Sequence, residues 1–260
     1  MNIMFIADIV GEQGIDVCFA HIQEVKAQFD VHVVIANGEN SAGGKGLTPQ
    51  LTFRLFDMGI DVITSGNHIW NKSKILNLLN EQPNLLRPAN YPPGTPGHGS
   101  VKLQVNDRET LGVLNLQGRS FMYPIDCPFR TADAEIQNLK SQGISLIFVD
   151  IHAEATAEKM ALAWHLDGKV SAVIGSHTHV QTADERILTK GTAYITDAGM
   201  SGSFHSVIGM DKDVAIKRFM TQMPVYYKLG TGDPRFCGVI VGIDRDSGKA
   251  VNIQRFEIPD

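Results

Sequence analysis

The sequence predicts a mixed α/β fold, a helix-covered and largely parallel sheet with antiparallel hairpins attached. Three observations predict it. Short apolar runs alternate with segments of helical period from the N-terminus to about residue 80, and again through residues 131–174. Two stretches, 100–117 and 236–258, read as strand–turn–strand. The composition, 43% hydrophobic and 20% charged over 260 residues, is that of a globular chain able to bury a core without disulfides.

Residues 1–7 are an apolar run that ends at Asp8. A helix comes next, with Ile15, Cys18, Phe19, Ile22, Val25 and Phe29 on one stripe. Residues 31–36 read as a strand. Thr48 then caps a helix with Pro49 in its first turn, running to Asp57. Residues 61–65 are a third short strand and 71–80 a helix. Strands 100–105 and 110–117 flank the polar turn Asn106–Glu109. Residues 119–130, with two prolines and no period, read as a loop. A helix over 131–142, a strand over 144–149, a helix over 156–166 and a strand over 170–174 restore the alternation. Strands 236–244 and 252–258 close the chain around a turn at 244–249. No repeat, low-complexity tract or linker interrupts residues 1–260, which read as a single domain.

Charge and composition exclude several classes. The net charge of −5 argues against an extensive nucleic-acid surface, though not against a small phosphorylated substrate. Cys18, Cys127 and Cys237 are far apart and form no metal-spaced pair, which points to free thiols in a reducing compartment. No N-terminal signal pattern and no apolar run near ~20 residues are present, so a cytoplasmic protein without membrane spans is expected. Self-association is left open.

The chemistry lies just past the strand ends. The first strand ends at Asp8, the second runs into Glu39 and Asn40, and the third into Asn67 and His68. The strand at 144–149 runs into His152, and that at 170–174 into His177 and His179. Ligands of open α/β sheets bind outside the carboxyl ends of the strands. If these strands share a rim, carboxylates, imidazoles and amide oxygens meet there without a thiolate, a donor set suited to iron, manganese or zinc. The donors exceed one tetrahedral site with an open position. Two metals roughly 3.5–4 Å apart would use them all. In an extended backbone, His177 and His179 would share one face. Blander roles stay open: Asp8 as a helix cap, Asn67 as a turn residue, and the 37–46 loop as a phosphate cradle.

The stretches A-D8-I-V-G11, A36-N-G-E-N-S-A-G-G-K-G46, S65-G-N-H-I-W70, D150-I-H-A-E-A-T156, G175-S-H-T-H-V-Q-T-A-D184 and T196-D-A-G-M-S-G202 resemble the YmdB family of calcineurin-like metallophosphoesterases through nearly the whole chain. The resemblance implies a four-layer α/β/β/α sandwich with mixed sheets and a binuclear site. It implies hydrolysis of phosphodiesters, with 2′,3′-cyclic nucleotides as substrates and iron or manganese as metals. Carried over, Asp8, Glu39, Asn40 and His179 hold one ion, and Glu39, Asn67, His152 and His177 the other, with Glu39 bridging. The implied nucleophile is a hydroxide shared by the metals, and His68 becomes the candidate general acid or, alternatively, a residue orienting a ligand. The wider superfamily begins with Asp-x-His, whereas this chain has Asp8-Ile9-Val10; Ala7 replaces an expected glycine.

Arg119, Tyr123 and Arg130 mark the 119–130 loop as a candidate lid, with an aromatic for the base and an arginine for the phosphate. His21, His32, His98, His165 and His205 are assigned no role. Two other functions compete: a metal-dependent amidohydrolase barrel, and a regulatory metal-binding scaffold with a protein or RNA partner.

Overall fold

The computed structural model describes all of residues 1–260. In chain order the elements are β1 (Asn2–Ile6), β2 (Asp8–Ile9), α1 (Gly11–Gln28), β3 (Val33–Asn37), α2 (Pro49–Asp57), β4 (Val62–Thr64), α3 (Ile75–Glu81), β5 (Ser100–Asn106) and β6 (Glu109–Gln117). They continue with α4 (Pro128–Ser141), β7 (Leu146–His152), α5 (Thr156–Leu166), β8 (Ala172–Ser176), β9 (Arg186–Ile187), β10 (Ala193–Ile195), β11 (Met200–Ser203), α6 (Lys212–Thr221), β12 (Pro234–Ile243) and β13 (Ala250–Pro259).

Two mixed sheets stack face to face. The first runs β2-β11-β12-β1-β3-β4, with β13 paired to β12; the second runs β5-β6-β7-β8-β10-β9. Within them β1, β3 and β4 are parallel, as are β6, β7, β8 and β10. Three apolar layers hold the stack. Ile15, Cys18, Ile22 and Leu55 from α1 and α2 pack on the outer face of the first sheet. Phe5, Ile35, Phe148 and Ile174 fill the space between the sheets. Ile136, Leu139, Leu162 and Leu166 of α4 and α5 cover the second sheet. The result is an α/β/β/α sandwich, in which alternate residues of the central strands serve opposite layers.

Several sequence expectations need correction. Phe19 is 71% exposed rather than part of the buried stripe of α1. The helix expected at 71–80 is a 3-10 turn at Ile69–Asn71 followed by α3. Helix α4 starts at Pro128, so Phe129 and Arg130 are helical rather than part of the loop; proline at a first helical turn costs no hydrogen bond. Strand β7 extends through His152, which is therefore a strand residue and not part of a following loop. Strands β2, β9, β10 and β11 and helix α6 have no counterpart among the elements expected from the sequence. The strands form two open sheets, so the barrel required by the amidohydrolase alternative is absent.

Candidate metal centre

Parallel strands of both sheets end at one rim, and the rim gathers the anticipated side chains. Asp8 lies just past β1, Glu39 and Asn40 past β3, Asn67 past β4, His152 at the end of β7, and His177 and His179 past β8. Two sub-clusters form. In one, Glu39 Oε1 lies 2.9 Å from His152 Nε2, which is itself 2.9 Å from His177 Nδ1. In the other, His179 Nε2 lies 3.7 Å from Asp8 Oδ1 and 3.1 Å from the Asn40 amide. Asp8, Glu39 and His152 are fully buried.

Local backbone departs from the extended form expected for His177 and His179. Both have positive φ, +100° and +61°, so the chain leaves the strand after Ser176 and the rings aim at different sub-clusters. Left-handed backbone at such residues costs about 1–3 kcal/mol each and needs support. Support is present. The His177 N–H donates to Asp8 Oδ2 at 3.1 Å. Between the histidines, the Thr178 N–H and hydroxyl both donate to Asp197 Oδ2, at 3.0 and 2.8 Å. Asp197 is paired at 2.8 Å with Lys159, and both are fully buried. Two glycines allow the close fit: a Cβ at Gly66 would fall 2.0 Å from the His152 ring, and one at Gly175 would fall 1.8 Å from the Thr196 carbonyl oxygen.

Each of the three histidines has one nitrogen held by an outer partner and the other turned into the site. The Ser176 hydroxyl donates to Asp150 Oδ1 at 2.7 Å, so it accepts from His152 Nδ1–H at 3.0 Å, which turns Nε2 into the site. His179 Nδ1–H donates to the Ile208 carbonyl at 2.9 Å, again turning Nε2 inward. His177 Nε2 lies 3.2 Å from the Glu154 carboxylate, which turns Nδ1 toward His152. Metal-binding histidines are oriented by this kind of outer partner. Of the four oxygens buried without a hydrogen-bond partner, Glu185 Oε2 lies elsewhere and three are at the rim: Asp8 Oδ1, Glu39 Oε1 and Asn67 Oδ1. Buried acceptors are rarely left so, and all three belong to the expected ligand set. To ligate, Asn40 would turn its amide to offer oxygen.

Electrostatics agree. Burial alone would raise the Asp8 and Glu39 carboxylic acids, but neighbouring imidazoles hold both below the usual range. Burial disfavours a charged His152, yet the Glu39 and Asp8 carboxylates lift it to about 9. His177, buried and beside His152, falls to about 3. Two buried carboxylates demand positive charge; bound cations meet that demand in place of a proton. The residues present fit a metal pair.

Over the rim opens a cleft of about 310 Å³. Its floor includes Glu39, His68 and His177, and its far wall Ile208, Arg218, Phe219 and Tyr227. His68 donates its backbone N–H to Glu39 Oε2 at 2.8 Å and faces the cleft with its ring. Burial lowers its pKa, Glu39 opposes this, and Lys45 adds to the lowering. The wall from α6 and the residues after it has a single sequence signal, which the motif pattern does not pick out: Asp211, whose side chain caps α6 by accepting from the Asp213 and Val214 N–H groups. Of the expected lid, Tyr123 lines a second hollow with Asn67 and His177. Arg119 and Arg130 are exposed, line neither cavity, and flank Cys127 instead. His205 is exposed and lies outside the cleft.

Known proteins share the sequence pattern and the fold. The family described as YmdB-like protein matches residues 4–256. A relative from Bacillus subtilis (strain 168), named 2′,3′-cyclic-nucleotide 2′-phosphodiesterase, is 48% identical over 260 residues, covering 100% of this chain and 98% of that one. A crystal structure of a hypothetical protein from Thermus thermophilus superposes with a TM-score of 0.93 at 40% identity, covering 100% of both chains. One of a phosphatase from Mycoplasma pneumoniae gives 0.94 at 30%, covering 100% of this chain and 93% of that.

Proposed function

The chain belongs to the YmdB-like protein family, and from that premise we propose that it is a metal-dependent phosphodiesterase acting on small nucleotide diesters, 2′,3′-cyclic nucleotides foremost. The carrying observation is the convergence of three inward-turned histidine nitrogens on three buried, unpartnered oxygens beneath an open cleft. In this reading residues 1–260 act as one catalytic unit. Asp8, Asn40 and His179 hold one ion, Asn67, His152 and His177 the other, and Glu39 is shared. Nitrogen and oxygen donors without thiolate favour iron, with manganese or zinc as alternatives. When bound, the pair supplies Lewis acidity that activates water and offsets phosphoryl charge.

The protein's own side chains do the rest. Glu39 fixes the His68 backbone through its second oxygen, so the ring stays over the cleft. His68 delivers a proton to the departing sugar oxygen, a role worth roughly 10²–10⁴ in rate. The anionic substrate adds to the Glu39 carboxylate in favouring the imidazolium that this step needs. Tyr123 reaches the site's second hollow and contributes to substrate contact. Three free cysteines accord with the reducing cytoplasm. No helix is long and apolar enough to cross a membrane.

Glu39→Gln tests the assignment. Metal content by mass spectrometry should fall for both ions together, and hydrolysis of adenosine 2′,3′-cyclic phosphate should drop at least 10²-fold. Full metal content with undiminished turnover would sink it.

A further inference from the structure

The cleft holds two cations for which the cyclic diester offers no evident use. Lys45, in the loop after β3, is half-buried, and its ammonium sits 5.1 Å from the centre of the Tyr227 ring, not against a carboxylate. Tyr227 is itself fixed: its ring packs on the Gly44 backbone so closely that a Cβ there would lie 2.5 Å from it. Helix α6 lends the same cleft Arg218, which has no acidic partner, next to Phe219, which is 70% exposed. The one carboxylate on the walls, Glu154, is engaged with His177 at 3.2 Å. A nucleoside 2′,3′-cyclic phosphate carries one negative charge, and that charge belongs at the Glu39–His152 end where the ester is cut. Half-buried ammonium without a counter-ion is an unfavourable arrangement in the free protein that an incoming anion relieves. An arginine beside an exposed aromatic ring pairs phosphate recognition with a stacking surface for a base.

We propose that Lys45 and Arg218 form a second anion subsite for a phosphate on the 5′ side of the nucleoside whose 2′,3′-cyclic ester is cut, with the base against Phe219. This rests on the phosphodiesterase reading above. The substrate class is then a 5′-phosphorylated nucleoside 2′,3′-cyclic phosphate, either free or as the 3′-terminal unit of a short oligoribonucleotide.

The test compares three substrates on the full-length, manganese-loaded protein: adenosine 2′,3′-cyclic phosphate, its 5′-phosphorylated form, and the ApA dinucleotide ending in a 2′,3′-cyclic phosphate. At least one phosphate-bearing substrate should exceed the first about tenfold or more in kcat/KM, mainly through KM. In Lys45→Met and Arg218→Met that ratio should shrink several-fold. The ratio is internal to each variant, so partial loss of folded or metal-loaded protein cancels. A higher value for the dinucleotide assigns the oligoribonucleotide end, and a higher value for the 5′-phosphorylated mononucleotide assigns the free nucleotide. A native ratio near one overturns the subsite, as do equal losses on all three substrates in both variants, which would place the two cations at the scissile group. Hydrolysis of none of the three removes the phosphodiesterase reading, and the subsite with it.

Discussion

The floor and the outer wall of the cleft are built in opposite ways. Floor side chains are shielded from water and held several times over: Asp8, Glu39, His152, Asp150, Lys159 and Asp197 are all fully buried. Two histidines there adopt left-handed backbone that neighbouring hydrogen bonds enforce. The wall is loosely tied. Of α6 only Ala215 is buried, while Ile216, Phe219 and Met220 face solvent. The contrast fits a division of labour. A metal pair needs ligands in position before the ion arrives, whereas a wall that grips a base and a phosphate can adjust when they enter.

The largest effect should come from removing the support under the floor. Lys159→Met leaves Asp197 buried and uncompensated, which costs about 3–5 kcal/mol. Thr178 then loses a fixed acceptor, so metal content should fall as well. Denaturant unfolding with metal analysis measures both. A loss under about 1 kcal/mol with full metal content would show that the histidine turn does not depend on this pair.

Metal removal comes next and separates the two regions directly. Ligand binding stabilises the folded state by about 2.7 kcal/mol at a hundred times Kd, which for a chain of this size is on the order of 5–10 °C in Tm. Chelation should therefore lower Tm, and hydrogen exchange should speed up at residues 175–180 but not in α6. Equal acceleration in both regions would erase the distinction drawn between floor and wall.

The same contrast governs how much of the molecule is legible in its sequence. Polar residues directly after apolar strand-like runs stand out, so Asp8, Glu39, Asn67, His152, His177 and His179 are identifiable without coordinates. What holds them is harder to see. Lys159 looks like a solvated lysine on a helix, and only the fold reveals it beneath Asp197. The alternation rule fails at His177 and His179 because hydrogen bonds from other elements override the extended backbone. Strand β11, Met-Ser-Gly-Ser, has almost no apolar signal and owes its place to pairing with β2 and β12. Helix α6 buries too little to show a clear stripe, so the wall it forms is hidden from periodicity. The Pro128 start of α4 is available from the rule that proline tolerates a first turn; treating that proline as a breaker is what extends the expected loop to Arg130.

The smaller effects belong to the wall. Phe219→Ala removes an exposed ring that packs little of the protein, so stability should change by less than about 0.5 kcal/mol. Lost stacking should raise KM roughly fivefold to tenfold with kcat nearly unchanged, since base stacking contributes about 1–3 kcal/mol. An unchanged KM would mean that the base lies elsewhere.

The 119–127 loop, beside the second hollow, gives the finest distinction. Tyr123 lines the hollow beside Asn67 and His177, whereas Arg130 lies in the first turn of α4 near Cys127. If the loop acts as a lid through its aromatic residue alone, Tyr123→Ala should raise KM two- to threefold, and Arg130→Ala should leave kcat and KM at native values. Equal effects from both would restore the arginine to substrate contact and imply that the loop closes further over bound nucleotide. No effect from either would leave α6 as the sole gripping surface. Steady-state kinetics on the two variants, with folding checked by Tm, decides among the three, because both side chains are exposed and their loss should scarcely perturb the core.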